Sequence, residues 1–213
     1  MNNAPERRLA AIMFTDIVGY TALMGSDETK AFEMLRENRE IHKTCLKQYG
    51  GEWLKEMGDG ILASFNNSSD AVRCAGAIQL AAGKKGISIK IALHQGEVVF
   101  EDGDVLGDGV NVASRLEQIA KEGEIIISAS IFNDVKNKRD IRTEYIGERK
   151  LKNVEEPLQV YKAFYIPSKP VGAGMGYDQL RPLKSTSILN KRIPYYITGG
   201  LLIIILFLLA WYN

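Results

Sequence analysis

Cysteine and histidine are both scarce in this sequence, which has two of each among 213 residues. So few cysteines exclude a fold held together by several disulfides. Because Cys45 and Cys74 both fall in helical patterns, we expect buried, reduced thiols in a cytosolic domain. The histidines, His42 and His94, fall in a helical run and in an apolar strand. We expect structural roles for both, so the chain offers no dedicated general base.

Net charge is small as well, at +1 with 25% charged residues. Such a balance gives no general attraction to a polyanion, and we therefore predict no nucleic-acid-binding surface. The chain also lacks an internal repeat, and its polar segment 1–8 does not have the character of a cleavable signal. What it has instead is ordered apolar patterning and three short segments rich in aspartate and glycine.

The apolar patterning predicts an α+β fold, because strands and helices follow one another as in a ferredoxin-like βαββαβ core. Ser26 or Asp27 is the expected cap of its long first helix, and Gly50 and Gly51 the expected end. The six core elements are predicted at residues 8–15, 26–49, 53–57, 60–65, 69–82 and 87–93. Additional strands and helices are predicted at 97–100, 108–119, 124–127 and 129–135 and in two closing strands.

The end of the chain differs in character from the first 166 residues, which suffice for one buried core. Residues 167–190 contain prolines and glycines without apolar periodicity and are predicted to be a linker. Residues 193–211 carry no charge, follow Lys191 and Arg192, and close on Trp211. A helix of that length covers about 28 Å, close to the ~30 Å of a bilayer core. We therefore expect residues 191–213 to form a single transmembrane helix.

The first of the three segments is FTDIVGYT at residues 14–21. Residues 9–14 have a buried-strand pattern, so Asp16 lies at a strand end, beside a glycine turn that opens a helix. A helix start favours an anion through its dipole and its unpaired N–H groups, and Asp16 would hold the cation of a polyphosphate. An aspartate here is also a common helix cap or turn former. The amides expected to point outward are those of Val18, Gly19, Tyr20 and Thr21.

The second segment is LKEMGDGIL at residues 54–62, in which two strand-like runs flank a Gly-Asp-Gly turn. This is a strong hairpin signal, and it places Asp59 at the tip. If the hairpin lies beside the strand that ends at Asp16, two carboxylates converge and can share a pair of divalent cations. Asp59 is also explained simply as a residue that hairpin turns favour.

The third segment is GDVLGDGVNVASRL at residues 103–116. Asn111 and Arg115 are four residues apart, so both project from one face of a helix that starts near Asp108. An amide and a guanidinium on one face can grip a ribose and a triphosphate. An ordinary solvated helix face would look the same, and Val112 and Leu116 are the expected buried positions in either case.

Together the segments resemble the catalytic domain of the class III nucleotidyl cyclases, most like that of a bacterial adenylyl cyclase. The matching motifs are FTDIVGYT at 14–21, KEMGDG at 55–60 and DVLGDGVNVASR at 104–115. A fourth motif, LKNVEEPLQVY at 151–161, is similar to the closing strand pair of the family. The resemblance covers about residues 7–166 and implies a catalytic domain over residues 1–166.

The resemblance also implies roles for single residues. Asp16 and Asp59, with the Ile17 carbonyl, match the ligands of two divalent cations, Mg²⁺ or Mn²⁺. Asn111 and Arg115 match the residues that orient the ribose and meet the charge developing on the phosphates.

Two further assignments complete the site that the resemblance implies. Lys55 and Asp104 match the pair that binds the purine. Lys152 matches a lysine that contacts the terminal phosphates, with Lys150 and Arg149 as neighbouring competitors for that role.

Hydrogen-bond chemistry independently favours adenine for this site. Adenine presents an acceptor at N1 and an amine donor at N6, so its partners are one donor and one acceptor, which Lys55 and Asp104 supply. Guanine reverses both edges and would need an acidic group at position 55. Glu56 does not supply it, because strand alternation sends its side chain to the opposite face.

The resemblance implies an adenylyl cyclase that converts ATP to 3′,5′-cyclic AMP and pyrophosphate by a two-metal mechanism. In the family the active sites lie at a head-to-tail dimer interface, so we expect a homodimer with shared sites. We expect a single-pass membrane protein whose catalytic domain faces the cytoplasm, either tail-anchored or continuing past Asn213 into a regulatory domain. The alternatives are a guanylyl cyclase, a pyrimidine nucleotide cyclase and a catalytically silent dimerisation or nucleotide-sensing module.

Overall fold

The computed structural model describes residues 5–101, 104–152, 154 and 156–167 of the chain. The helices there are α1 Tyr20–Ser26, α2 Glu28–Tyr49, α3 Ser68–Lys84, α4 Asp108–Ile119 and α5 Ala129–Val135. The strands are β1 Glu6–Ile17, β2 Glu52–Met57, β3 Gly60–Phe65, β4 Ile89–Glu101, β5 Asp104–Leu106, β6 Ile125–Ser128, β7 Ile141–Arg149 and β8 Leu158–Tyr165. This order confirms the α+β class.

In the described part of the chain the strands form one eight-stranded sheet in the order β2-β3-β1-β4-β6-β8-β7, with β5 paired to β4. The side chains of the interior strand β1 point alternately into two cores. Ala11 and Met13 pack with α2, α3 and α5, whereas Ala10 and Ile12 pack with α4. Burial on both faces fixes the register of β1, since a one-residue slip would exchange the two sets of side chains.

The helix boundaries follow local signals in the sequence. The Asp27 side chain accepts a hydrogen bond from the Lys30 amide at 3.0 Å and caps α2, which ends at Gly50 in the left-handed conformation, as predicted. A separate short helix, α1, opens at Tyr20 directly after Gly19, which has a φ of 79°. The glycine turn that opens a helix is therefore confirmed.

The two strands predicted at 87–93 and 97–100 are a single long strand, β4. All twelve residues of β1 pair with β4, from Glu6 opposite Phe100 to Ile17 opposite Ile89. Continuous pairing therefore carries the strand through Gly96. A Cβ on Gly96 would lie 3.1 Å from the Cα of Gly109, so this glycine allows the start of α4 to approach the sheet.

Both cysteines are buried free thiols, and both histidines have structural surroundings, as expected. The Nδ1 atom of His42 lies 2.9 Å from the Asn38 carbonyl oxygen, and its Nε2 lies 3.0 Å from the Thr15 hydroxyl oxygen. A carbonyl can only accept, so Nδ1 carries the proton and Nε2 accepts from Thr15. Neutral His42 thereby ties α2 to the end of β1. His94 lies 2.9 Å from the Ser128 hydroxyl through its Nδ1.

The predicted transmembrane helix at 191–213, and the predicted linker at 167–190 apart from Pro167, lie outside the described residues. No helix within the described ranges is both long and apolar enough to cross a membrane. The chain divides into the units Met1–Val171 and Gly172–Asn213, and every described residue belongs to the first.

The histidines predict a loss of stability in mild acid. Burial lowers the pKa of both His42 and His94 to about 4, whereas an unfolded histidine keeps a pKa near 6.5. Below about pH 6.5 the unfolded chain therefore binds protons first. The free energy of unfolding should fall as pH drops from 6.5 toward 4, by up to about 1.4 kcal/mol per pH unit for each histidine.

Urea unfolding measured between pH 5 and pH 8 checks this prediction. The slope of the unfolding free energy against pH should be shallower in His42→Gln than in the unsubstituted protein. Equal slopes in the two proteins below pH 6.5 would show that His42 is not held neutral.

Candidate active site

Two acidic side chains meet at one end of the sheet, where β1 and the β2–β3 hairpin finish together. The register of β1 and β3 ends with Thr15 opposite Ile61. Asp16 comes directly after Thr15, and Asp59 comes just before β3, so the two lie at the same end of adjacent antiparallel strands. Gly60 makes this approach possible, because a Cβ there would lie 2.6 Å from the Thr15 carbonyl oxygen. The predicted convergence of the hairpin tip with the end of β1 is confirmed.

Electrostatics show that the two carboxylates interact. Burial raises the pKa of Asp59, and the negative charge of Asp16 raises it further, while hydrogen bonds from the backbone amides of Asp59 and Ile17 oppose the shift. Carboxylates that repel each other in a partly buried site favour a shared cation.

The donor set fits a cation that arrives with a polyphosphate. No group of three or more histidine, cysteine, aspartate or glutamate side chains within the described ranges is arranged to hold a metal ion. Asp16, Asp59 and the Ile17 carbonyl, the predicted ligands, would supply only part of a coordination shell. Mg²⁺ is commonly bound in this way, by one or two carboxylates together with substrate phosphates.

A third charged group at this end, Lys90, escaped prediction from the sequence. It lies opposite Asp16 in the register of β1 and β4, and its Nζ is 2.9 Å from Asp16 Oδ2. The same Nζ is 2.7 Å from Oε1 of Glu117, on α4. Only the pairing of β1 with β4 brings these residues together, so no local motif could have identified Lys90.

The glycine turn beside Asp16 differs in one respect from the expected anion site. The Val18 amide donates to the Ser88 carbonyl at 2.8 Å, so it is not free to bind a phosphate. Gly19 and Thr21 are exposed and Tyr20 is partly exposed at the start of α1. Phosphate binding by the amides of these three residues stays a prediction.

The predicted purine pair is in contact. Lys55 Nζ donates to Asp104 Oδ2 at 3.1 Å, and this hydrogen bond, followed by that from the Val105 amide, lowers the pKa of Asp104. Both side chains are about half exposed, at 53% and 46%. Their polar ends are therefore accessible to a ligand.

A β-bulge aims Lys55 toward Asp104. In the pairing of β2 with β3, Trp53 lies opposite Ala63 and Lys55 lies opposite Leu62, so Leu54 is the extra residue. Without the bulge, strict alternation would put Lys55 on the same face as Trp53, which packs against the α2 side of the sheet.

Glu56 points away from Lys55, as predicted. Its Oε1 accepts a hydrogen bond from Nε of Arg39, on α2, at 2.7 Å. The side chains of Lys55 and Glu56 therefore lie on opposite faces of the sheet.

Helix α4 presents Asn111 and Arg115 one turn apart, and Val112 and Leu116 are buried, as predicted. Asn111 is exposed, whereas the Nε of Arg115 is buried and has no hydrogen-bond partner among the described residues. The rest of the Arg115 side chain is partly exposed. Lys152 is exposed, next to buried Leu151.

The predicted site residues thus form separate groups: Asp16 with Asp59, Lys55 with Asp104, and Asn111 with Arg115. No hydrogen bond or ion pair between described residues joins one of these groups directly to another.

Comparisons with known proteins identify a family and similar sequences. The family described as the adenylate and guanylate cyclase catalytic domain matches residues 3–166. Putative adenylate cyclase 3 of Rhizobium meliloti (strain 1021) is 35% identical over 165 residues, which are 73% of this chain and 28% of that protein. The adenylate cyclase of Anabaena cylindrica is 29% identical over 187 residues, which are 75% of this chain and 37% of that protein. The chain thus spans well under half the length of these two relatives.

A solved structure is similar over its whole length. The crystal structure of an adenylate/guanylate cyclase/hydrolase from Silicibacter pomeroyi has 35% sequence identity and a TM-score of 0.70. The match covers 77% of this chain and 99% of the other.

The close approach at the hairpin tip predicts a strong effect of Gly60→Ala. The added methyl group would overlap the Thr15 carbonyl and push the hairpin away from β1, which should cost about 1–3 kcal/mol of stability. Gly83→Ala in α3 is the matched control, since a Cβ there meets nothing within 4 Å. That change should leave stability equal or slightly higher. Urea unfolding distinguishes the two, and equal stability of both variants would contradict the tight packing at Gly60.

Proposed function

Because this chain belongs to the family of adenylate and guanylate cyclase catalytic domains, we propose that it converts ATP to 3′,5′-cyclic AMP and pyrophosphate as a homodimer. The observation that carries the proposal is the convergence of Asp16 and Asp59 at the end of β1. The adenylate cyclase names of the relatives from Rhizobium meliloti and Anabaena cylindrica support the same activity.

The reaction needs no nucleophile from the protein. The ribose 3′-hydroxyl attacks the α-phosphorus, the bond from the α-phosphorus to the bridging oxygen breaks, and pyrophosphate leaves while the hydroxyl proton passes to solvent. Asp16, Asp59 and the Ile17 carbonyl would hold two divalent cations, Mg²⁺ or Mn²⁺, and these would lower the pKa of the hydroxyl and offset the charge of the leaving group. His42 and His94 are occupied within the fold and take no part.

The remaining residues bind and orient the nucleotide. Lys55 donates to adenine N1, and Asp104 accepts from the N6 amine. Asn111 orients the ribose, and Arg115 stabilises negative charge that develops on the phosphates. Lys152 contacts the terminal phosphates. Most of the rate enhancement then comes from positioning and electrostatics.

The separation of the three residue groups supports a composite site. Within one chain no hydrogen bond or ion pair among the described residues joins the Lys55–Asp104 pair to Asp16 or Asp59. In a homodimer the metal-binding aspartates of one protomer face the purine pair and α4 of the other. A two-fold axis then generates two equivalent sites, and a monomer is inactive.

The alternative activities are less well supported. Guanine would need an acceptor at position 55, where the chain has a lysine, and a pyrimidine would leave the purine pair unused. A catalytically silent module would not need both aspartates together with Asn111 and Arg115. ATP cyclisation uses all of these groups.

We also propose that residues 191–213 anchor the domain on the cytoplasmic side of a membrane. The support is the uncharged run at 193–211, with Lys191 and Arg192 before it and Trp211 at its end. A regulatory domain joined to this segment would control activity by rotating the two protomers.

Mixing of inactive variants tests the composite site. Asp59→Asn and Arg115→Ala should each abolish cyclic AMP formation. A mixture should recover roughly a quarter of the unsubstituted activity, because half of the dimers are mixed and each carries one intact site. The matched control mixes Asp16→Asn with Asp59→Asn, which should give no recovery, since both damage the same half of every site. Equal recovery in both mixtures, or none in a mixture shown to form mixed dimers, would contradict the shared site.

Exchange of the purine pair tests nucleotide choice. Lys55→Glu with Asp104→Cys should shift the ratio of ATP to GTP turnover toward GTP by about tenfold or more, since each mismatched edge costs about 1–3 kcal/mol. Glu56→Gln, on the opposite face, is the control and should leave the ratio unchanged. Product analysis with both nucleotides measures the shift, and an unaltered ATP preference in the double variant would show that this pair does not select the base.

A further inference from the structure

Lys90 links the metal-binding end of β1 to the helix that carries Asn111 and Arg115. Its single ammonium group lies 2.9 Å from Asp16 Oδ2 and 2.7 Å from Glu117 Oε1. The three side chains are partly buried, with exposed fractions of 24% for Lys90, 33% for Asp16 and 15% for Glu117. Ion pairs screened from solvent in this way are stronger than those on an open surface.

The local balance of charge leaves one ammonium for three carboxylates. Asp16 and Glu117 share Lys90, while Asp59 adjoins Asp16 and feels its negative charge. A divalent cation bound to Asp16 would lie at about 2.0–2.6 Å from a carboxylate oxygen. Lys90 and such a cation would then stabilise the same negative charge while repelling each other.

We propose that Lys90 is a positioning residue. Without a metal its ammonium pairs with both Asp16 and Glu117, and when a divalent cation binds to Asp16 the ammonium pairs with Glu117 alone. The proposal rests on the proposed function, because it takes Asp16 as a metal ligand. Glu117 gives the displaced ammonium a partly buried partner, so metal binding does not leave Lys90 unpaired.

The transfer would couple metal occupancy to the position of α4. A stronger pair between Lys90 on β4 and Glu117 on α4 holds the last turn of that helix against the sheet. Arg115 lies on the same helix, two residues before Glu117, and in the proposed homodimer it belongs to the other of the two sites.

Direct binding of Mn²⁺ tests the proposal without a turnover assay. The signal of free Mn²⁺ in electron paramagnetic resonance gives the dissociation constant for Mn²⁺ binding to the protein. Loss of binding in Asp16→Asn identifies the site. Lys90→Gln should tighten binding about fivefold, because the competing cation is gone, and Glu117→Gln should weaken it about fivefold, because the ammonium has no other partner. Lys90→Arg, which keeps the charge, should resemble the unsubstituted protein.

The double variant separates this mechanism from simple attraction between Glu117 and the metal. If Glu117 acts through Lys90, then Glu117→Gln has no effect once Lys90→Gln is present. Glu124→Gln is the matched control, since Glu124 has similar burial but its side chain pairs with Lys162 at 2.7 Å and, among the described residues, forms no ion pair with Lys90. Its dissociation constant should equal that of the unsubstituted protein, and thermal melting confirms that each variant folds.

Opposite shifts in the two single variants support the proposal. Mn²⁺ dissociation constants within twofold of that of the unsubstituted protein, or weaker Mn²⁺ binding in both variants, would overturn the proposal while leaving the proposed function intact. If Lys90→Gln does not fold, the test is the comparison of Glu117→Gln with Glu124→Gln. Equal Mn²⁺ dissociation constants in these two variants would overturn the proposal. Absence of any Asp16-dependent Mn²⁺ binding in the unsubstituted protein would overturn the proposal, which takes Asp16 as a ligand of the free cation, and would leave intact the proposed function, in which the cation arrives with the nucleotide.

Discussion

The pairing of β1 with a neighbour on each side is the constraint on which the candidate active site depends. On one side Thr15 pairs with Ile61, which brings the hairpin tip and Asp59 to Asp16. On the other side Asp16 pairs with Lys90. Because β1 is buried on both faces, its register cannot slip, and Asp16 is held between a repelling carboxylate and an attracting ammonium. Three carboxylates thus share one ammonium at this end of the sheet, and the excess negative charge favours a cation.

Parts of this arrangement could be predicted because neighbouring residues decide them. The Gly-Asp-Gly turn specifies a hairpin with Asp59 at its tip, and the spacing of Asn111 and Arg115 specifies one helix face. The chemistry of the purine edges favours Lys55 and Asp104 as partners, and these two residues are in contact. Each of these predictions needs only local geometry or the shape of a ligand.

Other parts depend on residues far apart in the chain and escaped local reasoning. Lys90 is 74 positions from Asp16 by residue number, and only the sheet register brings them together. The bulge at Leu54 follows from how β2 meets β3, and it reverses the face that strict alternation from Trp53 assigns to Lys55. We expected the Val18 amide to be free, but it donates to the carbonyl of Ser88, the residue directly before β4.

The central claim is that one nucleotide bridges two chains, with its phosphates at the aspartates of one and its base at the purine pair of the other. Crystals grown with Mn²⁺ and 3′-deoxy-ATP, which cannot cyclise, test this most directly through the anomalous signal of manganese. The account predicts manganese peaks between Asp16 and Asp59 of one protomer and adenine against Lys55 and Asp104 of its partner. Manganese bound away from both aspartates, or a nucleotide held by a single chain, would contradict it.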